Sequence, residues 1–194
     1  MLLIGSRLIG TPIMGLQTGT ALARTAKAII DPRNLTIVAY ELSGPLLDRQ
    51  PSLLRIVDIR ELSDIGMIVD SSDEFITPDE VIKIQSVYDL HFDLIGLTVI
   101  DDKKHKLGKV AAYTIEATSF VIEQLNVKRP LLRSFGDTEL LIHRSQIIEI
   151  NDTTIIVRSA QNDAHEPVTQ AIRSYSNPFR GNSPQPEATT TRQS

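Results

Sequence analysis

Four histidines, His91, His105, His143 and His165, and the complete absence of cysteine define the metal chemistry open to this chain. Zinc sites draw on His, Cys and carboxylate at short, recurrent spacings, and neither His-x-His nor His-Glu-x-x-His occurs here. The histidines read as surface or half-buried side chains, and no metal ligand is expected among them. Gly10, Gly15 and Gly19-Thr20 have the outline of a phosphate loop, yet no Lys follows the last glycine to meet a terminal phosphate. They read more simply as turn glycines. No Ser occupies a Gly-x-Ser-x-Gly elbow. No catalytic residue and no cofactor are expected.

The charged clusters are better developed than the catalytic ones. Between Asp58 and Glu80 stand eight carboxylates against Arg60 alone. Asp70-Ser71-Ser72-Asp73-Glu74 lacks the alternating oxygens and the glycine of a calcium loop. The stretch reads as a solvated acidic rim or, with Asp70, Asp73 and Glu74 at its centre, as a docking surface for a basic protein partner. Such a surface would steer association more than it would add affinity. Opposite in sign are Lys103, Lys104, Lys106 and Lys109, with Lys128, Arg129 and Arg133 further on. Lysines at hairpin tips and edge strands protect against edge-to-edge pairing; the functional reading is an anion site for RNA or anionic lipid. A third reading is internal, the acidic half facing the basic edge. Leu131, Leu132 and Phe135, like Leu46-Leu47 and Leu53-Leu54, read as lids over barrel ends, or as a protein-docking patch where exposed.

These residues need a scaffold, and the composition restricts its type. The chain has 194 residues, 41% hydrophobic, 5% aromatic and without Trp, at a net charge of −4, so a core must be aliphatic and held without disulfides. The charge is too mild to mark a dedicated nucleic-acid binder. Leu8 to Ala23 is uncharged but interrupted by polar residues and Pro12, unlike a cleaved signal, and no apolar run is long enough to span a membrane as a helix. A cytoplasmic protein is expected.

The sequence answers itself. Leu8-Ile9-Gly10 matches Leu94-Ile95-Gly96, and from there an offset of 85 residues puts Asp31 on Glu116, Leu35 on Phe120 and Ile37 on Ile122. Leu22–Ile30 and Leu35–Glu41 flank Asp31-Pro32-Arg33-Asn34, in which Pro presets a turn and Asn tolerates left-handed geometry. That spacing predicts a hairpin. Leu107–Ile115 with Phe120–Leu125, and Ile147–Ile150 with Thr154–Val157, predict two more. Thr77-Pro78-Asp79-Glu80 offers a capping box for a helix through Tyr88, and a short helix is expected at Pro167–Arg173. Residues 1–90, 91–174 and 175–194 are expected as two small domains and a disordered tail.

The phrase Leu94-Ile95-Gly96-Leu97-Thr98-Val99-Ile100-Asp101, a polar turn, then Leu107-Gly108-Lys109-Val110-Ala111, resembles the PRC-barrel family. That family includes the C-terminal domains of the photosynthetic reaction-centre H subunit and of the ribosome-maturation factor RimM. The second repeat keeps the family's glycine at Gly108 but has Glu116 where an Asp is usual. The first keeps Asp31 but has Ala23 in place of the glycine. The resemblance implies a mainly β protein of two tandem six-stranded, partly closed barrels. It further implies a non-enzymatic, protein-binding adaptor. A ribosome- or RNA-associated maturation factor is the alternative, and a peripheral membrane or envelope-complex subunit a second. Self-association through open sheet edges is a further expectation.

Overall fold

The computed structural model describes residues 1–129 and 139–159. In chain order the strands are β1 (Leu2–Ile4), β2 (Pro12–Gly15), β3 (Ala21–Asp31), β4 (Thr36–Ser43), β5 (Leu53–Arg55), β6 (Glu61–Ser63), β7 (Gly66–Val69) and β8 (Phe75–Ile76). Helix α1 (Ile82–Tyr88) leads to β9 (Thr98–Asp101), β10 (Lys106–Glu116), β11 (Ile122–Lys128), β12 (Glu139–His143), β13 (Ile147–Ile150) and β14 (Thr154–Val157). The protein is mainly β, as the short runs of Ile, Val, Leu and Thr require.

The strands form two seven-stranded sheets. One runs β6-β7-β2-β3-β4-β5-β8, and the other β12-β11-β10-β9-β14-β13 with β1 added beside β10. Apart from β8 and β1 the two orders are the same, and each contains a single parallel pair, β2 with β7 and β9 with β14. The parallel pairs lie at the core, where Ile13, Met67, Val99 and Ile155 are fully buried. Both hydrogen-bonded paths are open, and each sheet holds one strand more than the six expected. The extra strand of the second sheet has a physical cause. β9 covers β10 only over Lys106–Lys109, and β1 occupies the bare edge at Thr114–Glu116. The first strand of the chain therefore belongs to the sheet built by its second half.

All three predicted hairpins form. At the β3–β4 turn the Asp31 carboxylate accepts the Arg33 backbone N–H at 3.0 Å. At the β10–β11 turn Glu116 accepts those of Thr118 and Ser119 at 2.8 and 2.7 Å. The left-handed residue is not Asn34, as expected, but the next one: Leu35 has φ 53° and its counterpart Phe120 φ 54°. A bulky side chain in that region is unfavourable, and here it comes with burial and a redirected carbonyl. The Leu35 carbonyl accepts the Ile122 N–H at 2.8 Å, and that of Phe120 the Ile37 N–H at 3.0 Å. The two hairpins thus bond each other reciprocally, and one continuous hydrophobic core runs through both sheets.

Two sequence landmarks acquire causes. A Cβ on Gly108 would stand 2.2 Å from the Lys128 carbonyl oxygen, so the glycine allows β10 to approach the end of β11. In the first sheet the glycine is on the other side, Gly44 facing Ala23, which is why the repeat tolerates Ala23. The helix expectation needs correction. Pro78–Glu80 form a separate 3-10 turn, Val81 is extended, and α1 begins at Ile82 with no side-chain cap. Ile84 and Val87, one turn apart, pack on Ile29, Ala39 and Leu53, so packing rather than capping holds this short helix.

Candidate anion-binding face

Asp101 builds the turn that carries the first lysines. Its buried carboxylate accepts the N–H groups of Lys103 at 2.9 Å and His105 at 2.7 Å, and bonds His105 Nδ1 at 2.9 Å. Burial alone would raise its pKa, but the bonds from His105 and Lys103 outweigh this and hold it below the ordinary Asp value. A carboxylate committed to the turn leaves Lys103, Lys104 and Lys106 projecting as exposed side chains. Lys109 follows on β10 and faces Lys128 on β11 as a direct cross-strand partner, both exposed.

Lys106 and Lys109 are three residues apart, and strict alternation would put them on opposite faces of the sheet. The register shift between Lys106 and Gly108 inserts the extra residue that lets both be exposed. The edge-protection reading of Lys109 fails, because β10 and β11 are interior strands: Lys109 is flanked by Thr98 and Lys128, and Lys128 by Lys109 and Glu139. The internal charge-pairing reading finds no support either. Among the described residues, none of Lys103, Lys104, Lys106, Lys109 and Lys128 lies within 4.0 Å of a carboxylate.

The acidic stretch is different, because three of its eight carboxylates are paired with arginines. Asp58 pairs with Arg55, Asp70 with Nε and Nη2 of Arg60, and Glu80 with Arg49. The hydrogen bonds from Arg60 hold the Asp70 carboxyl below its usual range. Asp73 is exposed with its N–H bonded to Ser71 Oγ, and Glu74 is half-buried. Of the apolar candidates, Leu131, Leu132 and Phe135 lie outside the described residues, as do His165, Arg133, the helix expected at Pro167–Arg173 and the tail from 175. Leu53 and Leu54 are core residues of β5, whereas Leu46 is exposed. Gly10 and Gly19 are left-handed turn residues. His91 bonds the Tyr88 carbonyl, and His143 the Ser145 hydroxyl.

Sequence reasoning missed one apolar feature. A groove of about 640 Å³ lies between α1 and β4, with Ile37, Val38, Ile84 and Val87 in its walls. Val57 stands at its rim, 82% exposed. Nothing in the local pattern marked it, since it exists only once α1 is laid on the sheet.

No family model matches the chain, and no curated protein does. Among solved structures it is similar to a Pseudomonas aeruginosa protein assigned, under the name RimM, to 16S ribosomal RNA processing. The two are 20% identical, over 81% of this chain and 97% of that one, with a TM-score of 0.29. Among the described residues no helix is long and apolar enough to cross a membrane.

Proposed function

We propose that this chain is a non-enzymatic, cytoplasmic binding protein of two tandem PRC-type barrels, associated with the ribosome or its RNA. The observation that supports this is the set of exposed lysines on and beside the β9–β10 turn, none of which lies within 4.0 Å of a carboxylate among the described residues, with Lys109 on an interior strand. Exposed cations without internal partners are free to replace the counterions of a phosphate backbone. The test is sedimentation of the tagged protein from lysate through a sucrose gradient. Co-migration with a ribosomal subunit at low salt, lost at high salt, is the expected result. Migration near the top at both salts refutes it.

A second reading, the protein-binding adaptor, is favoured by the groove beside α1. Exposed Val57 stands at its rim, where the fold gains nothing from an apolar side chain. Val57→Asp is expected to leave stability within about 0.5 kcal/mol of the parent, read by thermal denaturation. On this reading it abolishes capture of whatever protein co-purifies with the wild type; retention of that protein by the variant removes it.

A further inference from the structure

Because both sheets share one strand order, each position of the lysine face has a counterpart in the first sheet, and the comparison separates what the fold needs from what it does not. The turn residue at Lys104 is left-handed, φ 66°, and its counterpart Gly19 has φ 65°. Each donates its N–H to the carbonyl that starts the turn, Lys104 to Asp101 and Gly19 to Gly15. Glycine takes this conformation at no steric cost, and a lysine does not. Lys106 corresponds to Ala21, and Lys128 to Ser43. Lys109 corresponds to Arg24, which in the first sheet is spent on the Gly10 carbonyl at 2.8 Å. The cross-strand pair Lys109–Lys128 is matched by Arg24–Ser43, so the first sheet avoids the like-charge pair that the second accepts. Like charges directly opposite on a sheet are destabilising. The second sheet carries both costs, a left-handed lysine and a lysine pair, at places where the same fold does without them.

We propose that Lys103, Lys104, Lys106, Lys109 and Lys128 form one phosphate-binding face that holds the backbone of double-stranded RNA without reading its sequence. This deepens the ribosome-associated reading and adds Lys128, which lies well outside the lysine-rich turn in sequence. Lys109 and Lys128 have Cα atoms about 5 Å apart as direct partners, and Lys106 lies about 10 Å along the strand from Lys109. Repeated charge on that scale suits a repeating anion. Lysine is a point charge without the planar fork that reads base edges or paired carboxylates. Among the described residues, Tyr113 is the one Phe, Tyr or Trp on strands β9 to β12 and is buried, so His105 is the only exposed ring within the lysine-rich turn. Glu139, beside Lys128, and Asp102, bonded to Ser159, border the face and limit its extent.

The experiment is fluorescence anisotropy of the whole chain with a labelled RNA duplex of arbitrary sequence, the single strand of the same length, and vesicles containing phosphatidylserine. Salt is varied from about 50 to about 200 mM. Duplex binding is expected to be indifferent to sequence and to weaken steeply with salt. Lys109→Gln with Lys128→Gln should lower affinity about tenfold at the lower salt and reduce the log–log salt slope by about 2. Arg24→Gln in the first sheet serves as the comparison and should leave the slope unchanged. Unaltered far-UV circular dichroism, with a thermal midpoint no lower than the wild type's, confirms that the variants fold, and relief of the like-charge pair should raise that of the lysine variant. Equal slopes for the wild type and the lysine variant overturn the proposal, as does binding confined to single strands or to vesicles. If the lysine variant still sediments with ribosomal particles, the ribosome reading stands and this face is not its contact. If the wild type binds duplex but never sediments with them, the face stands and that reading fails.

Discussion

Individual side chains in this protein show how little of their role a residue type reveals. Tyr40 is fully buried against Phe120, ring centroids 6.3 Å apart, and its hydroxyl has no hydrogen-bond partner. Burial pushes its pKa far up, so it stays neutral. An unpartnered buried hydroxyl carries a desolvation cost with no return. Tyr40→Phe is expected to leave stability unchanged or to raise it by up to about 1 kcal/mol, read by urea denaturation followed by circular dichroism. Glu116 is the opposite case. The N–H of Ser119 first, then the Met1 amine, the Ser119 hydroxyl and the Thr118 N–H, hold its pKa down at about 2, against an ordinary value of 4.5. The ionised form is therefore the one the fold favours: its contribution is complete above pH 4.5 and is lost as the pH falls towards about 2. Glu116→Gln should lower the thermal midpoint at pH 7, and the gap from wild type should close as the pH approaches 2. A gap that is constant with pH would show that the carboxylate charge contributes nothing. The offset of 85 residues paired Asp31 with Glu116 and Leu35 with Phe120 from sequence alone. It could not show that the bulky residue, not Asn34, takes the left-handed conformation, because local propensity favours Asn and only the partner hairpin, remote in sequence, rewards the alternative.

At the scale of elements, strands bounded by turn residues were legible, and their neighbours were not. Hairpin partners are adjacent in the chain and announce themselves by spacing. The parallel pairing of β9 with β14, and the capture of β1 by β10, join segments more than fifty and about a hundred residues apart, where no local pattern reaches. That is why the lysines of β10 and β11 read as edge protection in sequence and as an interior array in the fold. The helix start was misplaced for a related reason: a capping box is a local signal, and burial of Ile84 and Val87 set the helix one turn later. Gly108 permits a test at this scale. Its added Cβ would meet backbone, the Lys128 carbonyl, at 2.2 Å, so relief requires β10 and β11 to part. Gly108→Ala is expected to cost about 1–3 kcal/mol despite the entropy it removes from the unfolded chain. Chemical denaturation measures this, and a variant as stable as the parent would mean that the strands are not held so closely.

For the molecule as a whole, the repeat suggests two units that fold separately, while the contacts join them. Phe120 is contributed by the second sheet's hairpin, packs on Tyr40 of the first sheet, and offers its carbonyl to Ile37 of β4. Leu35 does the reciprocal service for Ile122. Removing one side chain at this junction should therefore be felt on both sides. Phe120→Ala deletes a buried aromatic and is expected to cost about 3–5 kcal/mol. Native-state hydrogen exchange shows where the loss falls. If the sheets form one cooperative unit, slowly exchanging amides of β3 and β4 lose protection together with those of β10 and β11, and by the same free energy. If only β10 and β11 respond, the sheets open independently, and the reciprocal bonds between Leu35, Ile37, Phe120 and Ile122 join two separately stable halves. The shared core favours the first outcome. Leu8, Leu35 and Tyr40 from one half and Leu94, Phe120 and Ile122 from the other belong to a single buried cluster, and neither half can expose its share without exposing its partner's.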